Sequence, residues 1–295
     1  MGGVEGVVVS GSTRVVGLLG FPVLHSLSPE MQNCAFRSLG LDFVYVPFCV
    51  EPSELGRATL ALGPLGLTGV NVTIPHKMAI MQYLDEVSDE AGLVGAVNTV
   101  HVCDGRLKGY TTDGRGLLRS LSEEAGFTAA GKKVILLGAG GTARSVGVAL
   151  ASAGAREVIV AGRTPKRAEE LAAFLQTKTG VRTGALPLAD RELRSGVEDA
   201  DLVLNTTPVG MYPDVEAPPP VDPRILPREA LVCDLVYNPV ETTLLASARR
   251  RGQRTLSGLG MLAYQGALSF EIWTGRPAPA TLMKQVLERR LLTSR

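Results

Sequence analysis

Val134-Ile135-Leu136-Leu137-Gly138-Ala139-Gly140-Gly141-Thr142-Ala143-Arg144 reads as a buried strand that runs into a glycine-rich turn and then a helix. Glycine supplies the dihedrals of a tight turn and removes the Cβ that would hold a ligand off the backbone. Across Gly138, Ala139, Gly140 and Gly141 the chain can therefore approach a pyrophosphate. The phosphate charge would rest on the free N–H groups of the helix start at Thr142 and Ala143. Ala143 takes the third small position, where helix meets strand. A glycine string alone is only a tight βα turn. Here the strand–turn–helix–strand unit is completed by Val158–Ala161, which is the context of a dinucleotide site.

The end of that next strand selects the cofactor. It reads Ala161-Gly162-Arg163-Thr164-Pro165-Lys166-Arg167, with no acid to hold the ribose hydroxyls of NAD. Arg163 and Arg167 can clamp a 2′-phosphate and Thr164 can hydrogen-bond it, so the expected cofactor is NADP. A merely solvated basic helix start would oppose the helix dipole unless an anion is bound.

Working outward, short apolar runs alternate with helix-period segments, the pattern of an α/β chain with parallel strands. Around the glycine turn the expected strands are Lys133–Leu137, Glu157–Ala161, Arg182–Leu186, Leu202–Asn205 and Leu231–Leu235, with helices over Thr142–Ala153 and Pro165–Thr177. Pro213 and Pro218-Pro219-Pro220 mark a surface loop. The first half predicts strands at Val15–Leu19, Phe43–Cys49, Gly69–Thr73, Val97–Val102 and Arg106–Tyr110. Helices are expected at Pro29–Leu39, Glu51–Leu62, Met78–Leu84 and Ser88–Leu93, with Ser28 as N-cap and Pro29 at the first helical position. Asp104-Gly105 is a hairpin signal. Gly114–Gly126 reads as a helical linker, and Leu259–Trp273 and Ala280–Leu291 as C-terminal helices.

The 295 residues are too many for one ordinary core and suit two domains of roughly 100–150 residues. With 45% hydrophobic and 20% charged residues, the composition is that of a soluble globular protein. A net charge of +1 argues against a nucleic-acid partner. Met1–Ser12 has no basic stretch followed by an apolar one, so no signal peptide is expected. No apolar run reaches the ~18 residues of a membrane span. Four scattered cysteines, Cys34, Cys49, Cys103 and Cys233, form no C-x-x-C pair and fit a reducing cytoplasm. The last three lie in strand-like runs and are expected as buried thiols. His25, His76 and His101 form no metal constellation, so no metal is expected. Apolar helix faces near the C-terminus leave monomer and homodimer both open.

The chemistry concentrates in Asn71-Val72-Thr73-Ile74-Pro75-His76-Lys77 and Gly109-Tyr110-Thr111-Thr112-Asp113. Arginine far outnumbers lysine in this chain, and a lysine closing a Pro-interrupted strand exit needs water or a partner. If Asp113 comes close, the pair can exchange a proton with a substrate oxygen. Ser26-Leu27-Ser28-Pro29, Ala96-Val97-Asn98-Thr99, Asn205-Thr206-Thr207-Pro208-Val209-Gly210-Met211 and Tyr264-Gln265-Gly266 complete the set. Together, in this order and spacing, they resemble the shikimate/quinate dehydrogenase family from about Val15 to the C-terminal helices.

That resemblance implies two α/β domains with a cleft between them: a substrate domain, residues 1–113 completed by 258–295, and a Rossmann-type NADP-binding domain, residues 114–257. It implies that Lys77 is the catalytic acid/base paired with Asp113. Ser26, Ser28, Thr73, Asn98, Asp113 and Gln265 would hydrogen-bond shikimate, with Asn71 and Tyr237 as further members of the pocket. Leu235, Gly258 and Met261 resemble positions lining the nicotinamide, and Thr206 belongs with Gly162 to the cofactor set. Read singly, Ser28 is also a helix cap, Asn98 a turn residue and Gln265 an exposed helix position. The pattern departs at Thr111, where the family usually has Asn. The implied reaction is reversible reduction of 3-dehydroshikimate to shikimate with NADPH. Rivals are a quinate or amino-shikimate dehydrogenase, an idle NADP-binding regulator that should have lost the Lys or the Asp, and a dehydrogenase of an unrelated substrate.

Overall fold

The computed structural model describes residues 9–188 and 190–293. Residues 1–8, part of the stretch expected to carry no targeting segment, lie outside the described residues. The chain forms two compact units. One runs to Thr112 and takes back Gly266–Arg290; the other holds Asp113–Gln265.

The first unit contains β1 (Arg14–Gly20), α1 (Ser28–Ser38), β2 (Phe43–Cys49), α2 (Leu55–Ala61), β3 (Gly69–Val72), β4 (Glu86–Val87), α3 (Asp89–Val94), β5 (Thr99–Cys103) and β6 (Arg106–Tyr110). Its sheet runs β2-β1-β3-β5-β6-β4. Strand β1 pairs parallel with β2 and β3, whereas β5 is antiparallel to both β3 and β6. The sheet is therefore mixed rather than wholly parallel. The cause is local: Asp104 and Gly105 both take positive φ, 51° and 75°, the geometry of a two-residue hairpin turn. Met31, Ala35 and Phe36 bury one face of α1, and Phe36 stacks on Phe43 and Phe270 with ring centroids 5.0 Å apart in each case.

Two local expectations are corrected. Ser28 is not the cap of α1 but its first residue, and the preceding Leu27 makes no side-chain cap. The Ser26 hydroxyl instead accepts the Ser28 N–H at 3.2 Å, and Ser28 itself is buried. Cys49 and Cys103 are exposed, and only Cys233 is buried. Each exposed thiol ends its strand at the sheet rim, Cys49 on the edge strand and Cys103 beside the hairpin turn.

The second unit holds α4 (Asp113–Ala125), β7 (Lys133–Leu137), α5 (Gly141–Ser152), β8 (Glu157–Gly162), α6 (Pro165–Thr179), β9 (Arg182–Pro187), α7 (Asp190–Val197), β10 (Leu202–Asn205), β11 (Leu231–Asp234), α8 (Thr243–Arg250) and β12 (Thr255–Ser257). Helix α9 (Leu259–Thr274) passes from this unit into the first, and α10 (Ala280–Thr293) follows. The sheet order β12-β11-β10-β7-β8-β9 is parallel throughout. Strands β7, β10 and β11 are buried along their whole length, as a parallel sheet covered on both faces requires. Ile135, Leu137, Val203 and Val232 share one core with Leu244, Leu245 and Ala248 of α8. Among the described residues no helix is long and apolar enough to cross a membrane.

Candidate active site

In the second sheet the strand order reverses between β7 and β10, and ligands of such sheets bind beyond the strand ends at that point. Gly138, the first residue past β7, has φ 110°, and a Cβ there would meet Thr206 Oγ1 at 2.7 Å and Thr207 Cγ2 at 2.9 Å. Thr206 donates its backbone N–H and its hydroxyl to the Leu137 carbonyl, at 2.9 and 2.8 Å. The exits of β7 and β10 are thus clamped together, and only glycine fits the clamp.

Gly140 and Gly141 differ from Gly138. A Cβ on either would meet nothing within 4 Å, so the protein itself does not demand glycine there. Gly140 caps α5 without a side-chain acceptor, and the first helical bond runs from Arg144 N–H to Gly140 O at 3.0 Å. The N–H groups of the first turn therefore point outward past a side-chain-free cradle. Ala139 and Thr142 flank it half-buried, and Ala143 is fully buried against the sheet. A cradle of this shape with this donor set fits a pyrophosphate.

Gly162 ends β8, and Arg163, Thr164, Lys166 and Arg167 beyond it are all exposed. Helix α6 starts with Pro165 and has neither an acid in its first turn nor a side-chain cap from Thr164. Cations against a helix N-terminus that has no acid in its first turn call for an anion. Leu235 follows β11, and Gly258 lies so close that a Cβ on it would collide with the Leu235 carbonyl oxygen. Met261, on the first turn of α9, is 8% exposed. Gly138–Ala143, Gly162–Arg167, Thr206, Leu235, Gly258 and Met261 accordingly gather at one edge of the second sheet, the edge of its strand C-termini.

Asp113 opens α4, where its negative charge suits the helix dipole, and is 6% exposed. Gly114 and Gly116 bring the first turn of α4 against its neighbours. A Cβ at Gly114 would meet Ala149 of α5 at 2.5 Å, and one at Gly116 would meet the Gln265 backbone nitrogen at 2.7 Å. Gln265 is half-buried, and its amide donates to the Leu262 carbonyl at 2.9 Å. Tyr237 lies beyond β11, where burial raises its phenol above the ordinary value.

In the first unit a buried polar network runs beneath the lysine motif. The Tyr45 hydroxyl donates to Asn71 Oδ1 at 2.9 Å. Asn71 Nδ2 lies within hydrogen-bond reach of Asn98 O (3.1 Å), Thr99 Oγ1 (3.1 Å) and Ser269 Oγ (2.9 Å). The Asn71 carboxamide thus faces into the protein with its acceptor and donors engaged. Asn98 Nδ2 donates to Thr112 Oγ1 at 2.9 Å, and Asn98 Oδ1 accepts the Thr112 N–H at 2.8 Å. Burial drives the Tyr45 phenol far above its usual pKa and keeps it a neutral donor. Tyr45, Thr99, Thr112 and Ser269 were not marked by their residue types. Tyr45 and Ser269 in particular sit in apolar runs, and only the three-dimensional fold shows that their hydroxyls have partners.

Thr73, half-buried, leaves β3 with its N–H on the Leu19 carbonyl, and its carbonyl accepts the His76 N–H, both at 2.9 Å. The His76 ring is buried and its Nε2 lies 2.7 Å from the Val50 carbonyl. Because that carbonyl can only accept, Nε2 carries the proton and His76 serves to hold the turn. Lys77 is half-buried, and its carbonyl accepts the Val97 N–H at 2.8 Å. Adjacent residues, Val97 by its backbone and Asn98 by its side chain, therefore grip the segment carrying Lys77 and the residue just before Asp113. Among the described residues no group of three or more His, Cys, Asp or Glu is placed to hold a metal ion.

A doubly wound parallel sheet with this glycine cradle defines a dinucleotide-binding α/β protein. Residues 18–100 match the shikimate dehydrogenase substrate binding domain, residues 120–210 the shikimate/quinate 5-dehydrogenase family, and residues 258–288 the shikimate 5′-dehydrogenase C-terminal domain. A shikimate dehydrogenase (NADP+) of Moorella thermoacetica is 53% identical over 283 residues, 96% of this chain and 95% of that protein. One from Methanopyrus kandleri is 48% identical over 97% of this chain and 98% of its own length. A crystal structure of a shikimate dehydrogenase in complex with NADP+ superposes with a TM-score of 0.91 at 41% identity, covering 97% of this chain and 99% of that one. The chain belongs to the shikimate dehydrogenase family.

Proposed function

We propose that the protein reversibly reduces 3-dehydroshikimate to shikimate with NADPH, a step in the making of aromatic amino acids. The observation that carries this reading is the grip of Val97–Asn98 on the Lys77 and Thr112 segments, with a pyrophosphate-shaped cradle at the edge of the second sheet. NADP supplies the hydride donor and acceptor when bound. Gly138–Ala143 would hold its pyrophosphate, Arg163, Thr164 and Arg167 its 2′-phosphate, and Gly162, Thr206, Leu235, Gly258 and Met261 the remainder.

The chain's own residues then act on the substrate. The Lys77 ammonium donates a hydrogen bond to the ring carbonyl oxygen and gives up its proton as negative charge develops there. In the oxidative direction it takes that proton back from the shikimate hydroxyl. Asp113 would serve as the partner that orients Lys77. Ser26, Ser28, Thr73, Asn98, Tyr237 and Gln265 bind the carboxylate and remaining hydroxyls, and Asn71 supports that pocket through its network. The protein would work as a cytoplasmic monomer or homodimer on a small-molecule substrate, without a nucleic-acid or membrane partner.

The test is nicotinamide absorbance with purified protein, NADP or NAD, and shikimate or quinate. Fast turnover with shikimate and NADP alone is the expected result. Equal turnover with quinate or NAD would replace this reading with a broader specificity, and no turnover in any pairing would overturn it.

A further inference from the structure

Asp234 ends β11 with no exposed surface, and among the described residues no cationic side chain pairs with it. A buried carboxylate without a counter-charge is costly unless donors replace water around it. Three donors from three segments do so. Asn205 Nδ2 reaches Oδ1 at 2.9 Å, the Val236 N–H reaches Oδ1 at 3.0 Å, and the Thr242 hydroxyl reaches Oδ2 at 2.7 Å. Asn205 passes the constraint on, since its Oδ1 accepts the Thr207 N–H at 3.0 Å and the Thr207 hydroxyl at 2.7 Å. Thr242 also accepts the Leu245 N–H at 3.3 Å and so caps α8. Burial raises the Asp234 carboxyl above the ordinary carboxylate value, and the three donors oppose that rise.

The placement of these contacts is what matters. Thr206 lies directly before Thr207, and Leu235 lies between Asp234 and Val236; both belong to the proposed cofactor edge. The Leu235 N–H is held by the Asn205 carbonyl at 3.0 Å, and Gly258 donates to the Val236 carbonyl at 3.3 Å. A core carboxylate chosen only for packing would not tie together the exits of two adjacent strands. We propose that Asp234 is a positioning residue for the nicotinamide cofactor, its carboxylate fixing the β10 and β11 exits that present Thr206 and Leu235. This rests on the dinucleotide reading above.

Asp234→Ala leaves Asn205 Nδ2 and the Val236 N–H without an acceptor. Asp234→Asn keeps Oδ1 and reverses one bond, to Thr242. NADPH binding is followed by its own nicotinamide fluorescence, independent of turnover, beside thermal melting and the shikimate Michaelis constant. The dissociation constant for NADPH should rise about tenfold in Asp234→Ala and about threefold in Asp234→Asn, with the shikimate constant held within about twofold. If Asp234→Ala does not fold, Asp234→Asn and Thr242→Val, each disturbing one of the three contacts, decide the matter. Wild-type NADPH affinity in the folded variants, with only the melting temperature lowered, would overturn the assignment. Failure of the wild-type protein to bind NADPH at all would instead overturn the dinucleotide reading beneath it.

Discussion

The lysine-bearing edge of the first unit is assembled from side chains, and the glycine turn of the second from backbone. Around Lys77 the order comes from Tyr45, Asn71, Asn98, Thr99, Thr112 and Ser269, a chain of buried hydroxyls and carboxamides. Around Gly138 it comes from main-chain groups, joined by the Thr206 hydroxyl, and from room left by missing side chains. The two edges should therefore fail in opposite ways. The first breaks when a side chain is removed; the second breaks at its glycine turn when one is added, and only at the β10 and β11 exits does it also lean on a side chain, Asp234.

The largest effect expected is chemical. Lys77→Met removes the proposed proton donor while leaving the Val97–Lys77 backbone bond in place, so turnover should fall by about 10²–10⁴. The shikimate Michaelis constant should change only a few-fold. Steady-state kinetics in both directions check this, and near-normal turnover would remove Lys77 from the chemistry.

The opposite modes of failure are tested by a pair. Asn71→Ala strands several buried groups at once, at about 1–3 kcal/mol for each left unpaired, and should cost about 2–4 kcal/mol of stability with NADPH affinity unchanged. Gly138→Ala places a Cβ against Thr206 at a positive φ and should cost about 1–3 kcal/mol while also weakening NADPH. Denaturant midpoints with NADPH titrations decide it. Loss of cofactor affinity in Asn71→Ala would erase the distinction between the two edges.

The same contrast explains what was legible in the sequence. Gly138 and the buried β7 strand announce themselves through residue type, because backbone conformation and burial restrict which residues can stand there, and the Arg163–Arg167 cluster does so through its charge. Tyr45, Ser269 and Asp234 carry no such mark, since a hydroxyl or carboxylate in an apolar run gains meaning only from partners distant in the chain. Asn71 stood out by motif, but which way its amide faces depended on Tyr45 and Ser269. Helices α7 and α8 and strand β12 were not anticipated. The helices are eight residues each, rich in arginine, and β12 has three residues, too short for periodicity to register. The antiparallel β5 was foreshadowed only by Asp104-Gly105.

A smaller effect would sharpen the cofactor half. Arg163 and Arg167 are exposed, so replacing both by alanine should leave stability unchanged. The NADPH Michaelis constant should rise about tenfold, and that for NADH should barely move, because charge-assisted bonds to a 2′-phosphate are lost only with the former. An equal rise with both cofactors would place the cations elsewhere in the reaction.

The smallest effect lies in the first sheet and depends on pH. His101 of β5 stands opposite Lys108 of β6, and its pKa is lowered from 6.5 by partial burial and then by the Arg14 charge. The folded state thus prefers the neutral ring. Its stabilising contribution is present above the unfolded value of about 6.5 and is lost as pH falls through the lower folded value. Asp42 and Glu123 are lowered from 3.8 and 4.5, so their losses begin further down. The raised carboxyl of Asp234 does reach upward, but it is common to both proteins in a comparison of wild type with His101→Gln and cancels. Urea midpoints at several pH values between about 7.5 and 5 should therefore fall more steeply for wild type than for the variant. Parallel curves would mean that neither burial nor the Arg14 charge shifts the ring, and that the polar order of the first unit is confined to the network beneath Lys77.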